Sequence, residues 1–134
     1  MDLDLVPSQP VVDEEKLRRD PDNELFIATF NFLAKQVYQN AVNKGFWEHD
    51  FGEVTDAQRI ALIHAEISEA LESIRKNHPK SEKISEFTET EEEFADCIIR
   101  IMELAGKRGY KVSEAVVAKM KYNLNRPYKH EKKF

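Results

Sequence analysis

Two short acidic patterns carry the chemistry that this sequence could do. Residues 64–72 read HAEISEALE, with Glu66 and Glu69 three positions apart. Residues 91–96 read EEEFAD, with Glu93 and Asp96 at the same spacing. On a helix this spacing puts both acids of a pair on one face, one turn apart. Two such pairs on facing helices make a nest of four carboxylates, which repels itself unless something positive fills it. Carboxylate oxygens suit a hard divalent ion, Mg²⁺ or Mn²⁺. A soft-metal site has little support, because Cys97 is the only cysteine and no HExxH occurs. A multi-carboxylate Mg²⁺ site serves phosphate chemistry: it neutralises phosphate charge and lowers the pKa of a water. Plainer duties compete for the same residues. Glu93 stands where a capping box would want an acid after Thr90. Asp96 has Arg100 one turn on, a surface bridge of about 0.3–0.5 kcal/mol. His64 points away from Glu66 and reads as a structural or surface residue.

The elements that must position these acids are helices. Asp22 opens a first helix to about Val42, with Leu25, Phe26, Phe30, Leu33, Val37 and Ala41 at helical spacing. Its extra aromatics, Phe32 and Tyr38, widen the apolar face and suggest packing on more than one side. Gly45 ends it. The following loop holds Trp47, the only tryptophan, read either as a core plug or as a wall for a flat ligand. Thr55-x-x-Gln58 is a capping box that opens a second helix, about 56–76. Its main stripe is Ile60, Ile63, Ile67, Ala70 and Ile74, which leaves Glu66 and Glu69 on one shoulder. Pro79 stops it, and residues 80–88 read as a connecting loop. Thr90-x-x-Glu93 is the expected cap of a third helix to about Lys107, with a stripe of Phe94, Ile98, Ile101 and Ala105. Val112-Ser113 signals a fourth helix to about Leu124, before Pro127. The expectation is an all-α, four-helix bundle over residues 22–134, preceded by an extended arm, 1–21, that carries Pro7, Pro10 and Pro21.

Bulk properties narrow the function classes. The chain has 134 residues, enough for one domain with its own core. A formal charge of -5 opposes binding to a nucleic-acid backbone. One cysteine allows no internal disulfide, which fits a reducing cytoplasm. No secretory leader and no bilayer-spanning apolar run stand out, so a cytoplasmic protein without membrane contact is expected.

With these residues in view, the chain resembles the all-α nucleotide pyrophosphohydrolases, in particular the MazG-like branch. The resemblance covers roughly residues 25–130. It rests on the ExxE and ExxD motifs, on the text EISEALE and EEFADCIIRIMELA around them, and on the ending Lys119-Met-Lys-Tyr-Asn123-Leu-Asn-Arg126-Pro-Tyr128. It implies cleavage of a nucleoside triphosphate to a monophosphate and pyrophosphate. Glu66, Glu69, Glu93 and Asp96 would hold Mg²⁺, with Glu66 and Glu69 closest to the chemistry. Lys119, Asn123, Arg126 and Tyr128 would contact substrate, with Trp47 on the base side. Relatives assemble as dimers or tetramers. Many also carry an acid where this chain has Ala65. Phosphoribosyl-ATP as substrate, or a non-catalytic helical interaction module, are the alternatives.

Overall fold

Each helix starts where the sequence offers side-chain acceptors to its first free backbone N–H groups. In a computed structural model, which describes residues 20–48 and 54–131, the described chain is four α-helices, a short 3₁₀ turn and no strand. Helix α1 spans Pro21–Asn43, α2 Asp56–Arg75, α3 Glu89–Arg108 and α4 Val112–Leu124. The 3₁₀ turn is Tyr128–Glu131. Most of the expected arm, residues 1–19, lies outside the described residues, as do residues 49–53 of the Trp47 loop.

The caps agree with the sequence reading at α2 and differ elsewhere. Thr55 and Gln58 form the expected capping box. At α1 the cap is Asp20 rather than Asp22: its carboxylate accepts the Asp22 N–H, and Pro21 takes the first turn, where its missing N–H costs nothing. At α3 the box is Thr88 with Glu91, not Thr90 with Glu93. Two overlapping Thr-x-x-Glu frames compete there, and tertiary contact selects between them. Thr90 is buried, its hydroxyl 2.8 Å from Ser73 Oγ and 2.9 Å from His78 Nδ1. That leaves Glu93 free of capping duty. At α4 the cap position is Lys111, with no side-chain hydrogen bond. Ser113 is fully buried and donates instead to Asn31 Oδ1 on α1, at 2.7 Å.

Helix α3 is the central element, packed on α2 along one side and on α1 along another, while α4 lies against α1. Small residues line the contacts: Ala34, Ala41, Ala70 and Ala105 are buried, with Cys97, Leu104 and Val117 as the larger core members. The α1–α3 approach is so close that a Cβ built on Gly106 would lie 2.5 Å from the Ala34 carbonyl oxygen. Gly106→Ala should therefore push the two helices apart and cost about 1–3 kcal/mol, the range for overpacking. The readout is a lower melting temperature with helical content retained; an unchanged melt would contradict the packing.

The α2–α3 contact is stitched by polar rungs running antiparallel. Ser73 meets Thr90, Glu66 pairs with Arg100, Arg59 lies 3.5 Å from Glu103, and Arg108 binds Asp56 at 2.9 Å. This splits the expected stripe of α2, of which Ile63 and Ala70 turn inward as expected and the other three members do not. Its inward line is Arg59, Ile63, Glu66, Ala70 and Ser73, whereas Ile60, Ile67 and Ile74 are about half exposed. On α3, Phe94 and Ile98 are likewise exposed, while Ile101 and Ala105 are at least partly covered. Both helices are apolar on two sides, and periodicity alone does not say which side a neighbour takes. Among the described residues, no helix is long and apolar enough to cross a membrane.

Candidate active site

Three of the four expected acids converge. Carboxylate oxygens of Glu66, Glu69 and Glu93 all lie within 4.8 Å of one another. Glu66 is 8% exposed and faces α3 from the middle of α2, not from a shoulder. One turn on, Glu69 reaches from the rim and is exposed. From α3, Glu93 answers, with Oε2 buried and no donor facing it among the described residues. The oxygens nearest to it belong to acceptors, so they satisfy one another only through a proton or a cation. Asp96 is outside this triad. It stands one turn along α3 and lines the adjoining cleft beside Glu66.

The electrostatics follow from that crowding. Burial first, then contact with Glu66 and the charge of Glu69, push Glu93 up to about 7. Burial, then the charge of Glu66, raises Asp96 too, against opposing pulls from Lys83 and Arg100. Two cations therefore bracket the acids. Arg100 donates its Nε–H to Glu66 Oε1. Lys83, from the α2–α3 loop, sits 2.7 Å from Glu92 Oε1, which holds Lys83 above the ordinary lysine range. Glu92 in turn accepts from buried Ser81, whose hydroxyl also accepts the backbone N–H groups of Lys83 and Ile84. The loop is thus pinned where it carries Lys83 to the acids. Neither Lys83 nor Arg100 was singled out as a site residue from sequence. Arg100 was readable only as a neighbour of Asp96, and nothing local marks Lys83.

The donor set fits a hard divalent cation. Every converging atom is a carboxylate oxygen, and Glu93 Oε2 faces no donor among the described residues. Protonation and metal binding then compete, which gives a pH prediction. The folded protein holds a proton on Glu93 between its ordinary value near 4.5 and its raised value of about 7, whereas the unfolded chain has released it. Stability without divalent ions should therefore fall as pH rises through that window. The check is thermal melting in chelator at about pH 5.5 and about pH 7.5, where the lower pH should melt higher. Excess Mg²⁺ should flatten the slope by favouring the charged carboxylate. The same slope in Glu93→Gln would rule Glu93 out as its source.

Next to the acids, α2 and α3 part into a cleft of about 410 Å³. Glu66, Asp96 and Arg100 line one end, Arg59 and Glu103 the other, with Phe46, Val54, Leu62 and Ile99 as apolar walls. Its size is within the ordinary range for small-molecule sites. Trp47 is not among the residues lining it. The indole donates to Glu103 Oε1 at 2.9 Å, Tyr38 meets it edge-on, and the Arg59 guanidinium covers the ring at 3.3 Å. Lys119, Asn123, Arg126 and Tyr128 do not line the cleft either; they lie on α4 and just beyond it. Lys119 and Arg126 sit over the Tyr122 ring at 4.4 and 5.8 Å, Asn123 Oδ1 is buried with no hydrogen-bond partner among the described residues, and Tyr128 is exposed.

Set beside known proteins, the chain matches no family model, no curated protein and no solved structure.

Proposed function

We propose that the chain is a Mg²⁺-dependent nucleotide pyrophosphohydrolase, for which Mn²⁺ also serves, cleaving a nucleoside triphosphate to a monophosphate and pyrophosphate. The observation that carries this reading is the convergence of Glu66, Glu69 and Glu93 at the end of an open cleft. The resemblance of the two acid motifs to MazG-like enzymes supports the same assignment. Glu66, Glu69 and Glu93 would hold the metal, with Asp96 beside them. Bound there, Mg²⁺ supplies charge neutralisation at the phosphates and acidifies a water. The protein's own groups do the rest. Arg100 places a guanidinium where phosphate oxygens would enter, and such a pair is strong and directional. A carboxylate of the set takes a proton from the attacking water. Lys83 adds positive charge near Asp96 and Glu93.

A homo-oligomer is part of the proposal. It would cover the apolar sides of α2 and α3 and bring in Lys119, Asn123, Arg126 and Tyr128 from a second copy. A pyrophosphate-release screen over standard and modified nucleoside triphosphates, with phosphoribosyl-ATP in the same panel, tests the reading with Mg²⁺ and with chelator. Release that requires the metal is expected. No release from any member would end the proposal and leave a non-catalytic helical module.

A further inference from the structure

The loop between α2 and α3 carries a cation to the acid site on a prebuilt support. Ser81 is its buried pivot: the hydroxyl donates to Glu92 and accepts the backbone N–H groups of Lys83 and Ile84. The backbone closes the loop as well. Ser81 N–H donates to the Phe87 carbonyl oxygen, Phe87 N–H to that of Ile84, and Glu89 N–H to that of Pro79. These bonds shape the loop without the Lys83 ammonium. The Lys83 side chain is 77% exposed, and its Nζ rests 2.7 Å from Glu92 Oε1. An ion pair with so exposed a lysine contributes little to stability. Glu92 takes one of the three N–H groups of the ammonium, and the exposure leaves the others open to solvent.

Position links this ammonium to the acids. Glu92 and Asp96 are four residues apart, so they share a face of α3, one turn from each other. Asp96 lines the acid end of the cleft, and the charges of Asp96 and Glu93 act on Lys83. Lys83 therefore stands about one turn, or about 6 Å of helix, beyond Asp96. That is the direction along α3 opposite to Ile99 and Glu103. The two sides of the acids differ in chemistry. The cleft, walled by Phe46, Leu62 and Ile99, suits a base and sugar, whereas an open ammonium suits phosphate. A triphosphate with its α-phosphorus at the acids would carry its next two phosphates over about the length of that turn. We infer that Lys83 binds the terminal phosphates of the substrate, and hence the pyrophosphate that leaves. Glu92 is the positioning residue: it holds the ammonium beside the empty site and shares it with phosphate oxygens when the site fills. This rests on the pyrophosphohydrolase reading and names the group that recognises the diphosphate end.

The test is calorimetric titration of inorganic pyrophosphate and of nucleoside monophosphates with Mg²⁺ present, alongside pyrophosphate release from the matching triphosphates. Lys83→Met keeps the length of the side chain without its charge, and Lys83→Arg keeps the charge. Lys83→Met should weaken pyrophosphate binding about tenfold or more, the scale of a hydrogen bond to a charged group, and lower kcat/KM for triphosphates by a similar factor. Monophosphate affinity and the ranking of bases should stay as in the parent, and Lys83→Arg should recover most of the loss. Thermal melts and Mg²⁺ titration should match the parent's. Where Lys83→Met lowers the melting temperature, Lys83→Met combined with Glu92→Gln removes the carboxylate left behind and is read in its place. If pyrophosphate affinity and kcat/KM do not change, the inference is overturned while the hydrolase reading stands. Equal weakening of pyrophosphate and monophosphate, or a loss that Lys83→Arg does not recover, also overturns it, since a displaced loop would act so. If no triphosphate is cleaved but the parent binds pyrophosphate through Lys83, the hydrolase reading falls and the diphosphate site stands. A parent that binds no pyrophosphate overturns the inference.

Discussion

Glu69→Gln should abolish metal-dependent pyrophosphate release while leaving the helices folded. The expected loss is about 10²–10⁴-fold or more, the range for removing a group that acts on the proton or holds the reacting charge. Glu69 is the cleanest acid to change because it is exposed and pairs with no cation among the described residues. Glutamine keeps its shape. Removing its charge also relieves Glu93, whose pKa it helps to raise, so the metal-free protein should melt at the same temperature or higher. Glu66→Gln is a poorer probe. Glu66 is buried and pairs with Arg100, so its loss leaves a guanidinium without its partner and mixes stability with activity. Initial rates with saturating nucleotide, together with Mg²⁺ titration, decide the matter. A turnover rate equal to the parent's would remove Glu69 from the site.

The second large effect concerns the uncovered apolar faces. Ile60, Ile67, Leu71 and Ile74 on α2, with Phe94 and Ile98 on α3, each leave between 46% and 59% of their surface exposed. Burying such side chains in a partner copy contributes about 1.5–3 kcal/mol each when burial is complete. Light scattering after gel filtration should therefore report a dimer or tetramer. Ile74→Lys is the informative change, since the residue is exposed within one chain and lies more than one turn from Glu69. It should raise the dissociation constant of the assembly by about a hundredfold or more, with helical content preserved. In a monomer the same change is a surface substitution, worth within about 0.5 kcal/mol. A monomeric parent, or an assembly indifferent to Ile74→Lys, would refute an interface on this face.

Much of the local structure was legible in the chain. The Thr55–Gln58 box and the four apolar-periodic stretches locate the helices to within a few residues. The ExxE and ExxD spacings required each acid pair to share a helix face, because successive turns repeat the same direction. Other features were degenerate. Thr88-x-x-Glu91 and Thr90-x-x-Glu93 are both good caps, and nothing local chooses between them. The choice falls to Ser73 and His78, which claim the Thr90 hydroxyl and so release Glu93 to the site.

What the sequence determined by itself is therefore angular: which side chains share a face of which helix, and that two such faces carry paired acids. Which face turns inward was decided only by the tertiary structure. Periodicity is measured about a helix's own axis, and an amphipathic score rewards any apolar stripe. On α2 the isoleucine stripe at 60, 67 and 74 turned outward, and the line through Arg59 and Glu66 turned in, because polar partners on α3 complete it. The same assembly moved Asp96 out of the triad and into the cleft. It also laid Arg59 over Trp47, so that the arginine rather than the tryptophan faces the cleft. Pairings between residues tens of positions apart depend on the register of two helices, and register is a property of their contact, not of either segment alone.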